Sequence, residues 1–264
     1  MKFDIYKKKI FITGGADGLG LSLIKILLKK ENQITCIDID EKEKEFFINK
    51  KVIFHKIDLR NLENIKNLFN SINFGDFDLI INCAGYEIGS FFSEVPFQEY
   101  QNNFNCNFFS HILIIKEHIK KKNLIKKTKI LNVTSDTAFR SIPTRSSYCS
   151  SKSAFHSFSE AMRLELKNFN VDVVTILPPK LDTDFFKKIK YFGVLQKDKI
   201  PYSDSRPFYS TEKFARKIIE NVEQNSDFVK EFTITKVFLL INFLAPKLAD
   251  LMVEKLSTWK KLKK

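Results

Sequence analysis

Short runs rich in β-branched residues alternate along the chain with longer stretches whose apolar positions recur at helical spacing, and this alternation restricts the possible folds severely. Lys9–Thr13, Gln33–Ile37, Val52–His55, Asp78–Asn82, Thr128–Thr134 and Val171–Leu177 read as buried strands. Leu19–Lys30, Glu41–Asn49, Leu62–Ile72, Phe97–Lys122 and Ser147–Phe169 read as helices between them. Strands apolar on both faces and joined by helical crossovers predict an α/β fold, a doubly wound parallel sheet in three α/β/α layers. Ligands of such sheets sit at the carboxyl ends of the strands. A length of 264 residues fits one such domain, over 1–264, with a full core.

Four of the eight glycines lie in Thr13-Gly14-Gly15-Ala16-Asp17-Gly18-Leu19-Gly20, where the first strand turns into the first helix. A turn this tight needs backbone angles that side chains forbid, and a pyrophosphate must approach the helix N-terminus closely to meet its free N–H groups. A glycine cluster alone is a weak signal, because a plain strand-to-helix turn can carry one. The second strand ends near Asp38, with Asp40 close behind. An acidic side chain there accepts hydrogen bonds from ribose hydroxyls and repels a 2′-phosphate, so NAD is preferred over NADP; capping of the following helix is the plainer role for Asp38. No basic residue stands in the turn or directly after Asp38.

A second constellation is Tyr148-Cys149-Ser150-Ser151-Lys152, within a predicted helix, with Ser135 at the end of the fifth strand. Tyr148 and Lys152, four apart, share one helix face. Tyrosine is a poor base at its reference pKa of about 10, but a neighbouring ammonium favours the phenolate.

The glycine turn, Asn82-Cys83-Ala84-Gly85 after the fourth strand, Asn107, Ser135 and the Tyr-x-x-x-Lys element together resemble the single-domain short-chain dehydrogenase/reductases, over roughly Lys9 to Thr183. The resemblance implies a Rossmann fold and a catalytic set of Asn107, Ser135, Tyr148 and Lys152. Tyr148 would be the acid/base, Lys152 would lower its pKa and hold the nicotinamide ribose, Ser135 would bind the substrate oxygen, and Asn107 would order a water; Asn103 and Asn105 are nearby alternatives for that position. It further implies a cofactor set of Thr13, Gly14, Asp17, Gly18, Leu19, Gly20, Asp38, Asp58, Leu59, Asn82, Ala84, Gly85 and Thr183, with Tyr148 and Lys152. Asp58 would meet the adenine amino group and Thr183 the nicotinamide carboxamide. Three positions depart from the pattern: Cys83 replaces a common Asn, Pro179 replaces a Gly, and the seventh strand near Asp227–Thr235 is poorly defined. Proline at 179 fixes φ and lacks an N–H, so the backbone beside the nicotinamide can follow a different path.

The implied activity is NAD-dependent hydride transfer between a secondary alcohol and a ketone, in a homo-oligomer. A sugar-nucleotide epimerase would need a larger C-terminal domain, and a non-enzymatic NAD-binding sensor or scaffold would be expected to lack Tyr148, Lys152 or Ser135. Residues 180–210 form a long irregular segment of the kind that serves as a substrate lid. Its Phe185, Phe186, Ile189, Tyr191, Phe192, Val194 and Leu195 suggest an apolar or lipid-like substrate, while its lysines would allow an anionic one.

The formal charge of +13 raises nucleic acid as a partner, but the lysines are dispersed without aromatic interleaving, and no nucleic-acid partner is expected. Cys36, Cys83, Cys106 and Cys149 have no paired spacing, and His55, His111, His118 and His156 no metal spacing; a reducing compartment without a metal site follows. Ile10–Ile12 is too short for a signal-peptide core, so a cytoplasmic location is expected. The amphipathic segment 232–264 falls short of a membrane span; packing against the lid or a partner subunit is preferred over a peripheral membrane anchor, since apolar stripes in soluble domains are usually core.

Overall fold

The computed structural model describes residues 3–197, 208–224, 228–230 and 240–256. Seven strands form one parallel sheet: β1 (Lys9–Thr13), β2 (Gln33–Asp38), β3 (Ile53–Lys56), β4 (Leu79–Asn82), β5 (Thr128–Val133), β6 (Val171–Leu177) and β7 (Phe228–Lys230). Their order is β3-β2-β1-β4-β5-β6-β7, so the chain reverses its winding between β1 and β4, where a crevice opens at the carboxyl ends of the strands. The expected doubly wound Rossmann fold is therefore present. Parallel strands need crossovers, which the helices provide: α1 (Gly18–Leu28), α2 (Lys44–Asn49), α3 (Leu62–Ser71), α4 (Phe97–Phe104), α5 (Ser110–Lys121), α6 (Ser146–Glu165), α7 (Gly193–Lys197), α8 (Thr211–Glu223) and α9 (Pro246–Leu256).

Two apolar cores lie on opposite faces of the sheet. One joins Ile10, Ile12, Leu79 and Leu131 to Leu23 and Leu27 of α1 and Phe214 and Ile218 of α8. The other joins Phe11, Ile80 and Ile130 to Ile65 of α3 and Ile114 of α5. Burial on both faces explains why every residue of β4 and β5 is buried, lysine included. Lys129 forms an ion pair there with Asp172 at 3.4 Å.

Two elements differ from the sequence expectation. The stretch 97–122 is interrupted by a π-helical turn, Asn105–Phe109, in which the Ser110 N–H donates to the carbonyl of Asn105. Such single turns add a residue to the helix and re-aim its side chains, here the amide of Asn107. The seventh strand is a short edge pairing, Thr175 to Phe228 through Leu177 to Lys230; residues 231–235 of the expected segment lie outside the described ones. The segment 232–264 is described over 240–256 only, as helix at 240–244 followed by α9.

Candidate active site

A cleft of about 770 Å³ runs across the carboxyl edge of the sheet, from Gly14, Asp38 and Asp58 at one end to Ser135, Tyr148 and Lys152 at the other. Sites of this size hold a dinucleotide fragment with a small substrate.

The glycine turn is built by contact as much as by backbone freedom. Gly14 has φ +71°, and a Cβ there would sit 2.7 Å from the Cα of Ala84. At Gly20 a Cβ would lie 2.8 Å from the carbonyl carbon of Gly14, so the first turn of α1 packs directly on the strand exit. Thr13 braces the arrangement: its Oγ1 accepts from the N–H groups of Cys83 and Ala84, both at 3.0 Å. Asp38 stitches β2 to the turn, accepting from the N–H of Ala16 at 2.9 Å and that of Asp40 at 3.0 Å. Backbone donors at a helix N-terminus, a close glycine approach and a flanking carboxylate fit the pyrophosphate and ribose of a dinucleotide.

Asp17 caps α1 by accepting from Gly18 N–H at 2.7 Å. Burial works against its charge, but Lys188, 2.7 Å away, and Lys42, 3.1 Å away, outweigh that and hold the carboxyl below its ordinary range. Lys188 also reaches Asp40 at 3.6 Å, tying the lid to the nucleotide end. These two lysines, one a few residues beyond Asp38 and one on the lid, are the basic groups that the sequence does not place there. Asp58 lines the cleft, but its carboxylate is gripped by Arg60, with Nη2 at 2.7 Å, which keeps it well below the usual carboxylate range. Leu59, Ala84 and Gly85 line the wall beside it.

At the reacting end, Ser135, two residues beyond β5, caps a short 3-10 turn, Asp136–Ala138. Its Oγ accepts from the Thr137 hydroxyl at 2.9 Å, donates to Asp136 Oδ1 at 3.3 Å, and stands on the same cleft wall as Tyr148. Tyr148 and Lys152 lie on the buried face of α6. Burial pushes the Tyr148 phenol above its ordinary pKa, against the smaller downward pulls of Ser135 and Arg145. Burial likewise lowers the Lys152 ammonium to about 8; its Nζ donates to the Val133 carbonyl at 2.9 Å and lies 6.0 Å from the Tyr148 ring centre.

Asn107 stands behind these groups rather than on the cleft wall. Its amide accepts from Tyr86 N–H at 3.0 Å, and donates to Tyr86 O at 3.0 Å and Ser151 Oγ at 3.0 Å. A Cβ on Gly85 would touch both Asn107 Oδ1, at 3.2 Å, and Lys152 Nζ, at 3.3 Å, so only a glycine fits between the two side chains. Asn103 joins the same cluster, whereas Asn105 turns away to the Arg60 carbonyl.

Asn82 and Thr183, both expected at the cofactor, stand as follows. Asn82 is fully buried and donates to Asn132 Oδ1 at 2.8 Å, supporting the sheet edge rather than lining the cleft. Thr183 lines the cleft, but its methyl and Cβ face Gly18, since a Cβ there would meet them at 3.1 and 3.3 Å; Thr183 thus lies beside the glycine turn. Of the apolar lid residues, Phe185 and Phe186 face the cleft, and the Phe185 ring centre is 5.9 Å from that of Tyr148. Ile189 and Leu195 pack inward, and 198–207 lie outside the described residues. His111 and His118 are buried on α5, bonded to the carbonyls of Ala84 at 3.1 Å and Phe74 at 2.6 Å.

A buried ion pair joins Glu87 and Arg145, both on the cleft wall, and no sequence motif marks it. Arg145, one turn before Tyr148, could have been flagged by spacing; Glu87 comes from a distant loop, and only the fold brings it near.

The model of the short chain dehydrogenase family matches residues 8–191. The chain belongs to that family of oxidoreductases. An uncharacterized oxidoreductase of Bacillus subtilis, YusZ, is 24% identical over 229 residues, covering 84% of this chain and 79% of its own length. A Burkholderia cenocepacia short chain dehydrogenase, solved in complex with NADP, superposes with a TM-score of 0.76 at 19% identity, over 95% of this chain and 99% of its own. A Burkholderia phymatum short-chain dehydrogenase/reductase, solved in complex with NAD, gives 0.77 at 15% identity, over 93% and 96%. These two likenesses concern the fold. Among the described residues no helix is long and apolar enough to cross a membrane.

Proposed function

We propose that the protein interconverts a secondary alcohol and a ketone with NAD as hydride carrier. The observation that carries this reading is the convergence of Ser135, Tyr148 and Lys152 at one end of a cleft whose other end is the glycine turn. A bound nicotinamide ring would donate or accept the hydride. The chain's own side chains handle the proton and the orientation. Ser135 Oγ, on the cleft wall with Tyr148, holds the substrate oxygen within reach of the phenol. Burial keeps Tyr148 protonated and ready to donate in ketone reduction; in alcohol oxidation the Lys152 ammonium, 6.0 Å from the ring centre, would support the phenolate. Asn107 holds the Tyr86 backbone and Ser151 of α6, behind the helix that carries Tyr148 and Lys152.

NAD is favoured over NADP because Asp38 presents a carboxylate to the cleft and the nearby Lys42 and Lys188 are engaged with Asp17 and Asp40. Phe185 and Phe186 over Tyr148 favour a substrate with an apolar body. Phe97 and Phe109, 75% and 44% exposed near α4 and the π turn, suit contact with a second copy of the chain. A cytoplasmic location agrees with four free thiols. A non-catalytic NAD sensor is disfavoured by retention of the complete Ser135, Tyr148 and Lys152 set.

Fluorescence titration with NAD and NADP, followed by a panel of secondary alcohols and ketones read at the nicotinamide absorbance, tests the proposal. Tighter NAD binding with turnover is expected. Tighter NADP binding would overturn the assignment of Asp38, and NAD binding without turnover on any panel would favour the sensor.

A further inference from the structure

The C-terminal helices carry an apolar face that the domain does not cover. Leu240, Phe243, Leu244, Leu248 and Leu251 recur at spacings of three and four residues, and they are 57%, 84%, 68%, 50% and 55% exposed. The opposite side faces the protein: Ala249 and Val253 are buried. A contiguous stripe of five large apolar side chains in water marks a surface that meets something else.

The attachment of these helices is polar and specific. Arg140 donates to Asn242 Oδ1 at 2.9 Å and forms an ion pair with Asp250. Arg140 closely follows the turn that carries Ser135, so the exposed stripe belongs to an element fastened beside the reacting end of the cleft.

The occupant is indicated by charge. The chain carries a formal net charge of +13, Lys247 stands exposed within the stripe's own helix, and the sequence continues from α9 through Trp259 to Lys260, Lys261, Lys263 and Lys264. An anionic lipid surface offers hydrocarbon to the leucines and phenylalanine, headgroup phosphates to the lysines, and an interfacial region that suits tryptophan.

We propose that Leu240, Phe243, Leu244, Leu248 and Leu251 form a membrane-docking face that inserts into the interface of an anionic bilayer. Docking there holds the catalytic domain at the lipid surface, as a peripheral protein and not a spanning one. The inference stands independently of the reaction proposed above, since membrane binding is read without turnover.

Co-sedimentation of the full chain with vesicles of phosphatidylcholine alone, and of phosphatidylcholine with phosphatidylglycerol, tests it. The expected result is pelleting with the anionic vesicles, weaker in high salt and absent or slight with the neutral ones. Phe243→Glu with Leu244→Glu, both at exposed positions, is expected to lower the partition at least about tenfold while leaving the thermal transition in place. Absence of binding to either vesicle would overturn the proposal. So would equal binding by the wild type and the variant, which would assign the attraction to the lysines alone. A wild-type dimer that the variant converts to monomer, without vesicle binding, would reassign the face to self-association.

Discussion

Gly20→Ala places a methyl where no flexible side chain can yield. The new Cβ would stand 2.8 Å from the carbonyl carbon of Gly14 and 3.1 Å from the Cα of Gly15, against the backbone of the very turn that faces the cleft. Relief requires α1 to move away from the exit of β1. Overpacking of this kind costs about 1–3 kcal/mol, roughly 2–12 °C in Tm for a chain of this size. A displacement near 1 Å at donors that must meet a pyrophosphate costs on the order of a hundredfold, so NAD affinity is expected to fall about that much. Gly75→Ala is the control: its Cβ would lie 2.6 Å from the carbonyl carbon of Lys121, an equally rigid neighbour far from the cleft. It is expected to lower Tm similarly with NAD affinity unchanged. Differential scanning calorimetry and fluorescence titration of both variants separate the two effects. A Gly20→Ala variant that binds NAD like the wild type would refute the reasoning.

Other consequences follow from buried charge. Burial lowers His118 from 6.5 to about 4, so the unfolded chain binds a proton that the folded chain refuses. The stabilising contribution is complete above pH 6.5 and is lost as pH falls toward 4, on the order of 3 kcal/mol in all. Urea unfolding across that range is expected to show the slope, and His118→Gln to reduce it, the buried His111 keeping part of it; an unchanged slope would contradict the assignment. Glu87→Ala leaves Arg145 buried without its carboxylate and is expected to cost about 3–5 kcal/mol in urea unfolding, whereas a loss under 1 kcal/mol would show that the pair is not structurally important.

Most of the fold was legible because parallel strands buried on both faces announce themselves by composition: β1 and β6 have the bounds that the apolar runs indicate. The π turn was not, because periodicity over 97–122 is continuous and the extra residue responds to contacts made by Asn107 with Tyr86. The edge strand β7 was obscure for a related reason: with one neighbouring strand it needs fewer apolar residues. At the site, residues separated by a helical turn, such as Tyr148 and Lys152, could be grouped from the sequence. Lys188, Glu87 and Arg60 could not, because their partnerships with Asp17, Arg145 and Asp58 depend on how loops fall across the sheet edge, or, for Arg60, on a turn with no spacing signal.

The account rests most heavily on Tyr148 as the group that exchanges the proton. Tyr148→Phe keeps the ring buried against Phe185 and removes only the hydroxyl. Steady-state turnover of the best alcohol or ketone, measured beside NAD titration, is expected to fall by about 10²–10⁴-fold with NAD affinity retained. Turnover preserved in Tyr148→Phe would contradict the mechanism.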